Sequence, residues 1–186
     1  MNTEKVAGKP AKLPGSELRD WVQCIISAIV VCVLVFVFVG RLVDVVGSSM
    51  VPTLHEGEMV VISNLFYEPK YGDIVVLRKE TYSEQCIIKR VIATEGQTVD
   101  IDFDEGIVYI DGEPLSEPYT AEPTYEREEF EGEVTVPEGC VFVMGDNRNK
   151  STDSRTSSIG FVDKRYIVGK AYWVLFPIKN FGSVYR

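Results

Sequence analysis

The sequence predicts a mainly β domain preceded by one N-terminal transmembrane helix. Two observations carry this prediction. Residues 21–40 contain no charged side chain, although 25% of the 186 residues are charged. Beyond residue 44, short runs of β-branched and aromatic residues alternate with turn sequences, which is typical of a sandwich or barrel of strands. We therefore divide the chain into a head (1–20), a span (21–40) and an outer domain (41–186).

The span is long enough to cross a bilayer, because twenty helical residues at about 1.5 Å each match a hydrocarbon core of roughly 30 Å. Gln23 and Ser27 are its only clearly polar side chains. The alternative is a cleaved secretory signal, whose apolar part usually has about 7–15 residues before a small-residue cleavage site. From Val30 to Val39 every residue except Cys32 is bulky and apolar. This length favours an uncleaved anchor.

The distribution of charge predicts the orientation of the chain in the membrane. Basic residues beside a span favour the cytoplasmic side. The head contains four of them: Lys5, Lys9, Lys12 and Arg19. We therefore expect a single-pass protein of the cell membrane with a cytoplasmic N-terminus and an extracytoplasmic outer domain. That domain has 15 basic and 25 acidic residues, a net charge of −10, which excludes nucleic-acid binding because phosphates must be neutralised by Lys and Arg.

The cysteines and the single histidine do not indicate a metal site. Cys86 and Cys140 lie outside the span, and the sequence has no Cys-x-x-Cys motif and no Cys/His cluster. These two thiols either pair in an oxidising compartment or remain separate and buried, and the sequence leaves both possibilities open. We expect no metal and no cofactor.

Seven short runs predict the strands of the outer domain. They are residues 59–62, 73–77, 87–93, 106–110, 134–136, 140–144 and 167–176. The aromatic run at 172–177 favours a core strand, with contact to the membrane as the alternative. Residues 100–133 contain thirteen acidic residues and one basic residue, Arg127. So acidic a stretch predicts a solvated β insert at 100–137 that buries little core; a surface for a basic partner is the alternative.

A hydrolase in this chain cannot readily use a Ser-His-Asp triad. The single histidine, His55, lies in a polar turn six residues after Ser49, where a surface position is favoured. Carboxylates and lysine are the other available bases, and Ser-Lys pairs are a known variant of triad chemistry. A lysine acts as a base only when it is neutral, which requires surroundings of low dielectric.

Lys89 is the lysine best placed for such surroundings. Strand alternation puts Ile87, Lys89 and Val91 on one face of the apolar run and Arg90 on the other. The alternative is that Lys89 protects an edge strand from aggregation. The pattern alone does not choose between a base and an edge-strand charge.

Ser49 is the candidate nucleophile. Gly47 permits unusual backbone angles just before it, and Pro52 restricts the chain just after it. These residues suit a serine in a tight turn, with backbone N–H groups near a developing oxyanion. The alternative is an ordinary serine-rich linker.

Four segments, taken in order after the span, resemble the motifs of bacterial type I signal peptidases. They are residues 47–54 (GSSMVPTL), 71–76 (YGDIVV), 89–96 (KRVIATEG) and 145–155 (GDNRNKSTDSR). The likeness covers nearly the whole outer domain and is weakest at 100–137. It implies a β-rich catalytic domain with a β insert, and a serine endopeptidase that removes signal peptides from exported preproteins at the membrane.

The resemblance also implies the role of each site residue. Ser49 matches the nucleophile of the family and Lys89 matches the general base. Ser151 matches a hydroxyl that orients the lysine, while Asp153 and Arg155 match a pair that supports the site.

Gly47 departs from the proteobacterial pattern, which has a serine there that donates to the oxyanion. The second oxyanion donor is therefore left open, and the glycine resembles the Gram-positive members. Met50 and Ile87 are our candidates for the pockets that accept small substrate side chains.

Two other functions compete with this interpretation. A self-cleaving repressor-type Ser-Lys protease is disfavoured by the anchor and by the lack of a DNA-binding segment. A catalytically silent, membrane-tethered module that binds exported proteins would need no particular serine or lysine. The expected partners are secretory preproteins and membrane lipid; the sequence does not fix the oligomeric state.

Overall fold

A computed structural model describes residues 16–38, 40–78 and 86–185. The chain divides into two compact units, residues 1–38 and residues 39–186. Most of the predicted head, residues 1–15, lies outside the described residues.

The first unit contains one helix, α1 (Ser16–Phe38). Its side chains are exposed from residue 17 to residue 34, and those of residues 35–39 lie outside the described set. When the described residues are searched, no helix has both the length and the hydropathy needed to cross a membrane.

The second unit is built of antiparallel strands. Within the described residues these are β1 (Arg41–Asp44), β2 (Met59–Ser63), β3 (Ile74–Leu77), β4 (Ile87–Thr94), β5 (Thr98–Asp102), β6 (Ile107–Ile110), β7 (Glu113–Pro114), β8 (Val134–Thr135), β9 (Cys140–Met144), β10 (Val162–Asp163), β11 (Ile167–Phe176) and β12 (Gly182–Ser183). The large sheet has the order β1-β2-β11-β3-β4-β9-β10, with β12 paired to β11, and a smaller sheet has the order β7-β6-β5-β8. The mainly β prediction is confirmed.

The large sheet is buried on both faces in its middle. In β3, Ile74 and Val76 pack into one apolar cluster with Met50, whereas Val75 and Leu77 pack into another. Alternate residues of a strand point to opposite faces, so a continuous apolar run such as this one suits a strand covered on both sides.

The acidic insert contributes to a third apolar cluster, contrary to the prediction that it buries little core. Ile101, Val108 and Phe130 pack there against Phe142 of β9. The Phe130 ring lies 6.0 Å from the Phe142 ring in an edge-to-face arrangement. Alternation along the strand allows an acidic segment to contribute to the core. In β5, Val99 and Ile101 are buried, and the aspartates between and after them point outward.

Residues 172–176 of the aromatic run belong to strand β11, as predicted, but they are not all in the core. Val174 is buried, whereas Trp173 and Phe176 are 48% and 57% exposed. The Cys86 and Cys140 thiols are free, Cys86 being exposed and Cys140 half-buried. The structure therefore has neither a disulfide between them nor two buried thiols.

Candidate active site

Lys89 lies in the interior of the large sheet. Strand β4 pairs with β3 on one side and β9 on the other, so the alternative role as an edge-strand charge is wrong. Ile87 and Val91 pack in one apolar cluster and Ile88 in another, which confirms the predicted alternation along this strand. The side chain of Lys89 is only 4% exposed.

Ser49 lies in a turn between strands β1 and β2. Gly47 has φ of +81°, a left-handed conformation that glycine adopts without steric cost. The Val51 N–H donates to the Ser48 carbonyl and the Leu54 N–H donates to the Met50 carbonyl. These hydrogen bonds hold the turn closed, and Ser49 is half-buried within it.

The structure brings these two side chains into direct contact. Lys89 Nζ donates a hydrogen bond to Ser49 Oγ at 2.8 Å. Burial lowers the pKa of Lys89 to about 8, because desolvation disfavours the ammonium form. Arg155 also lowers this pKa, whereas the carboxylates of Asp153, Glu128 and Asp146 oppose the shift.

Ser151, Asp153 and Arg155 form one buried network beside this pair. Ser151 Oγ donates to Asp153 Oδ2 at 2.9 Å. The guanidinium of Arg155 donates to both Asp153 oxygens, at 2.8 and 2.9 Å. All three residues are at most 3% exposed, and a buried carboxylate and guanidinium joined in this way compensate each other's charge.

Gly145 lets the Ser49 turn approach this network closely. A Cβ atom at position 145 would lie 2.2 Å from Ser151 Oγ and 2.5 Å from the Ser49 carbonyl oxygen. The Asn147 N–H donates to that same carbonyl at 2.9 Å, and the Asn147 side chain donates to the Ser48 carbonyl. The loop 145–155 and the serine turn are therefore joined through backbone groups.

A second buried ion pair lies on the other side of strand β4. Arg90 donates to both carboxylate oxygens of Asp146, at 2.8 and 2.6 Å. Thr53 donates to the same carboxylate, and the Arg90 guanidinium lies 3.9 Å from the centre of the Tyr119 ring. The Thr53 contact ties the chain just after Ser49 to the beginning of loop 145–155.

Arg148 fastens the acidic insert to the same loop. It forms a salt bridge with Glu117 and donates to Thr124 Oγ1 at 3.0 Å. The side-chain oxygen of Asn149 accepts from the N–H groups of Tyr125 and Glu126. The amino-acid pattern does not predict a role for the insert at the site, because its link to loop 145–155 depends on contacts between residues far apart in the chain.

An open cleft of about 270 Å³ gives access to Ser49 and Lys89. In the described part of the chain its walls include Val46, Gly47, Ser48, Ser49, Cys86, Ile87, Ile88, Lys89, Lys150 and Thr152. Gly47 and Ile87, both chosen from the sequence, lie on these walls. Met50 is 2% exposed and packs in the apolar core. Lys150 and Thr152 were missed, because nothing in the spacing of loop 145–155 shows which of its side chains face the cleft.

His55 is exposed, as the sequence favours. Within the described part of the chain, no group of three or more His, Cys, Asp and Glu side chains comes close enough to hold a metal ion.

Comparison with known proteins identifies the family. Residues 18–176 match the model of the family described as signal peptidase, peptidase S26. The chain is 40% identical to signal peptidase I of Bacillus licheniformis, covering 97% of both chains, and 37% identical to the probable signal peptidase I-1 of a Synechocystis strain, covering 94% of this chain and 91% of that relative. A crystal structure of a signal peptidase I from Enterococcus faecalis is 32% identical, with a TM-score of 0.45 over 56% of this chain and 97% of that one. The chain therefore belongs to the signal peptidase family, peptidase S26.

Proposed function

We propose that this chain is a membrane-anchored serine endopeptidase that removes N-terminal signal peptides from exported preproteins through a Ser49–Lys89 dyad. The observation that carries the proposal is the 2.8 Å contact between Lys89 Nζ and Ser49 Oγ inside an open cleft. A hydroxyl within hydrogen-bond reach of a desolvated lysine has the arrangement that nucleophilic catalysis requires.

The reaction follows from these two side chains. Neutral Lys89 accepts the Ser49 proton as Ser49 Oγ attacks the scissile carbonyl carbon. The resulting ammonium returns the proton to the leaving amine, which releases the mature protein and leaves an ester on Ser49. Lys89 then accepts a proton from water, and the hydroxide formed in that step hydrolyses the ester. A pKa of about 8 leaves about a tenth of Lys89 neutral at pH 7.

The surrounding groups have supporting roles in this proposal. Ser151, Asp153 and Arg155 hold loop 145–155 against the serine turn and keep the polar surroundings of Lys89 fixed. The backbone N–H of Ser49 donates to the oxyanion, and Gly47 leaves space for the substrate carbonyl beside it. The substrate binds extended, with small residues at the first and third positions before the cut in shallow pockets beside Ile87 on the cleft wall.

Residues 21–40 anchor the enzyme in the membrane in this proposal. The segment has twenty residues without a charge, the length that a bilayer core requires. Ser49 follows Gly40 by nine residues, so the linker reaches at most roughly 30 Å at about 3.3 Å per residue. The nucleophile thus stays near the outer membrane surface, and confinement to that surface raises its effective concentration toward membrane-bound preproteins.

The outer domain also contacts lipid in this proposal, through an exposed apolar face on strands β1, β2 and β11. Leu42 and Trp173 are both paired with Val61, and directly opposed residues share one face of a sheet. Leu42 and Trp173 are 46% and 48% exposed, and the Phe181 ring lies 5.7 Å from that of Trp173. Strand β1 begins directly after Gly40, so a short stretch of chain joins this face to the proposed anchor.

Trp173 fluorescence tests the lipid contact. In a Trp21→Phe background Trp173 is the remaining tryptophan of the chain. We expect quenching by brominated phosphatidylcholine when the protein is reconstituted in vesicles. Emission equal to that in unbrominated vesicles would remove lipid contact from the proposal without affecting the dyad.

Cleavage by matched variants tests the enzymatic proposal. The assay uses full-length protein in detergent and lipid micelles and a preprotein with small residues at positions −1 and −3. We expect Ser49→Ala, Lys89→Ala and Lys89→Arg to lose activity by at least about a thousandfold, because arginine keeps the charge but cannot act as a base. Ser158→Ala and Lys70→Ala, at exposed positions outside the cleft, should remain active.

Circular dichroism must show that each inactive variant is folded. Activity that survives in Lys89→Arg would exclude Lys89 as the base. Cleavage by Ser49→Ala at the rate of the unmodified enzyme would show that the dyad is wrong. If the unmodified protein and all the variants bind the preprotein alike and none of them cuts it, the tethered binding module becomes the better interpretation.

A further inference from the structure

The cleft around Ser49 and Lys89 differs in charge from the domain that contains it. Residues 41–186 have a net charge of −10. Among the residues that the structure describes, the walls of the cleft include two lysines, Lys89 and Lys150, and no carboxylate. An acidic protein thus presents a locally basic surface at the point where the peptide bond is cut.

Lys150 is an exposed cation on a firmly held backbone. It ends a short 3-10 helix at Arg148–Lys150, and its N–H donates to the Asn147 carbonyl at 2.9 Å. Its neighbours Arg148 and Ser151 are almost completely buried. The backbone of Lys150 is therefore held in place on the wall of the cleft, and its side chain extends from there.

The ammonium of Lys150 has no acidic partner within the ranges 16–38, 40–78 and 86–185. Lys164 and Lys170 lie within salt-bridge distance of Glu95 and Asp73, respectively. No salt bridge joins Lys150 to a carboxylate of the described residues. Of these three lysines, Lys150 is the one that lines the cleft. With no such partner among the described residues, the Lys150 ammonium can attract a negative charge on a bound peptide.

We propose that Lys150 determines specificity by favouring substrates with a carboxylate next to the scissile bond; the inference rests on the proposed Ser49–Lys89 peptidase. Positions −1 and −3 hold small residues. In an extended peptide, position −2 points to the opposite face. The selected Asp or Glu therefore lies at one of the remaining positions beside the scissile bond, −2, +1 or +2, where Lys150 on the cleft wall attracts it.

The test compares kcat/KM for preproteins that differ only in charge. Asp, Asn and Lys are placed in turn at −2, +1 and +2, and each is cleaved by the unmodified enzyme and by Lys150→Gln, Lys150→Arg and Lys150→Glu. At one position or more we expect Asp to be cleaved about fivefold faster than Asn, the effect of a partly exposed ion pair. Lys150→Gln should abolish this preference, Lys150→Arg should keep it and Lys150→Glu should favour Lys.

Three outcomes would overturn the inference. The preference for Asp could be absent at all three positions, or it could survive in Lys150→Gln. Lys150→Gln could also slow the Asp and Asn substrates equally, which would indicate an effect on Lys89 instead.

Lys70→Gln, which removes an exposed lysine outside the cleft, is the control for net charge. Cleavage of the Asn substrates shows that the peptidase works in each case. Failure of the unmodified enzyme to cut any substrate would overturn the proposed function, and the inference with it.

Discussion

The Nζ atom of Lys89 lies 2.8 Å from the Oγ atom of Ser49, although the two residues belong to different structural elements. Lys89 is fixed by the pairing of β4 with β3 and β9. Ser49 is fixed by its turn and by the Asn147 N–H, which donates to the Ser49 carbonyl. Their contact therefore depends on the assembly of the whole outer domain, and changes far from the cleft can affect it.

The pH dependence of cleavage should report the ionisation of Lys89. A lysine base works only when neutral, and the pKa of Lys89 is lowered to about 8 by burial. We therefore expect kcat/KM to rise with pH through a midpoint near 8, by about tenfold per pH unit well below it. Measurement between pH 6 and 10 with an uncharged peptide substrate checks this, and a profile that is flat over that range would contradict it.

Glu128 should move that midpoint. Its negative charge raises the pKa of Lys89 by stabilising the ammonium form. Glu128→Gln removes this charge, so we expect the midpoint of kcat/KM to shift to lower pH. Glu131→Gln is the control, since Glu131 is an exposed acidic residue of the same insert. An equal shift in both variants would mean that net charge, and not the position of Glu128, controls the base.

Much of the outer domain could be predicted from local pattern. Strand β9 (Cys140–Met144) and strand β11 (Ile167–Phe176) have the predicted bounds, because each is a run of β-branched or aromatic residues next to clear turn sequences. Strand β5 (Thr98–Asp102) was missed. Its apolar residues alternate with aspartates, and so high an acidic content predicts a solvated chain.

The candidate site could be predicted only in part. The motif resemblance singled out Ser49 and Lys89, which are forty positions apart, and the structure places them in contact. The contact between the insert and loop 145–155 could not be predicted from the motifs. Arg148 reaches Glu117 and Thr124 only because the chain folds back, and neither spacing nor composition encodes that return.

Two of the arginine–aspartate pairs of the domain, Arg90–Asp146 and Arg165–Asp163, should differ greatly in their contribution to stability. The Arg90–Asp146 pair is almost completely buried, whereas the Arg165 side chain is 87% exposed beside Asp163. Arg90→Met leaves a buried carboxylate without its cation, so we expect the free energy of unfolding to fall by about 3–5 kcal/mol. Arg165→Met should cost no more than about 1 kcal/mol. Denaturant unfolding of both variants measures the difference, and equal costs would mean that Asp146 keeps adequate partners without Arg90.

The last prediction concerns the insert as part of the folded core. Phe130 is 5% exposed and packs edge-to-face against Phe142 of the large sheet, so Phe130→Ala should lower the free energy of unfolding by about 3–5 kcal/mol. Phe66 is 98% exposed, and Phe66→Ala should change it by less than about 0.5 kcal/mol. Urea denaturation of the full chain in micelles compares them. Since Arg148 joins the insert to loop 145–155, we also expect Phe130→Ala to reduce kcat/KM under conditions where the protein is still folded. A Phe130→Ala variant as stable as Phe66→Ala would show that the insert folds apart from the sheet, and that its acidic residues act only as solvated surface.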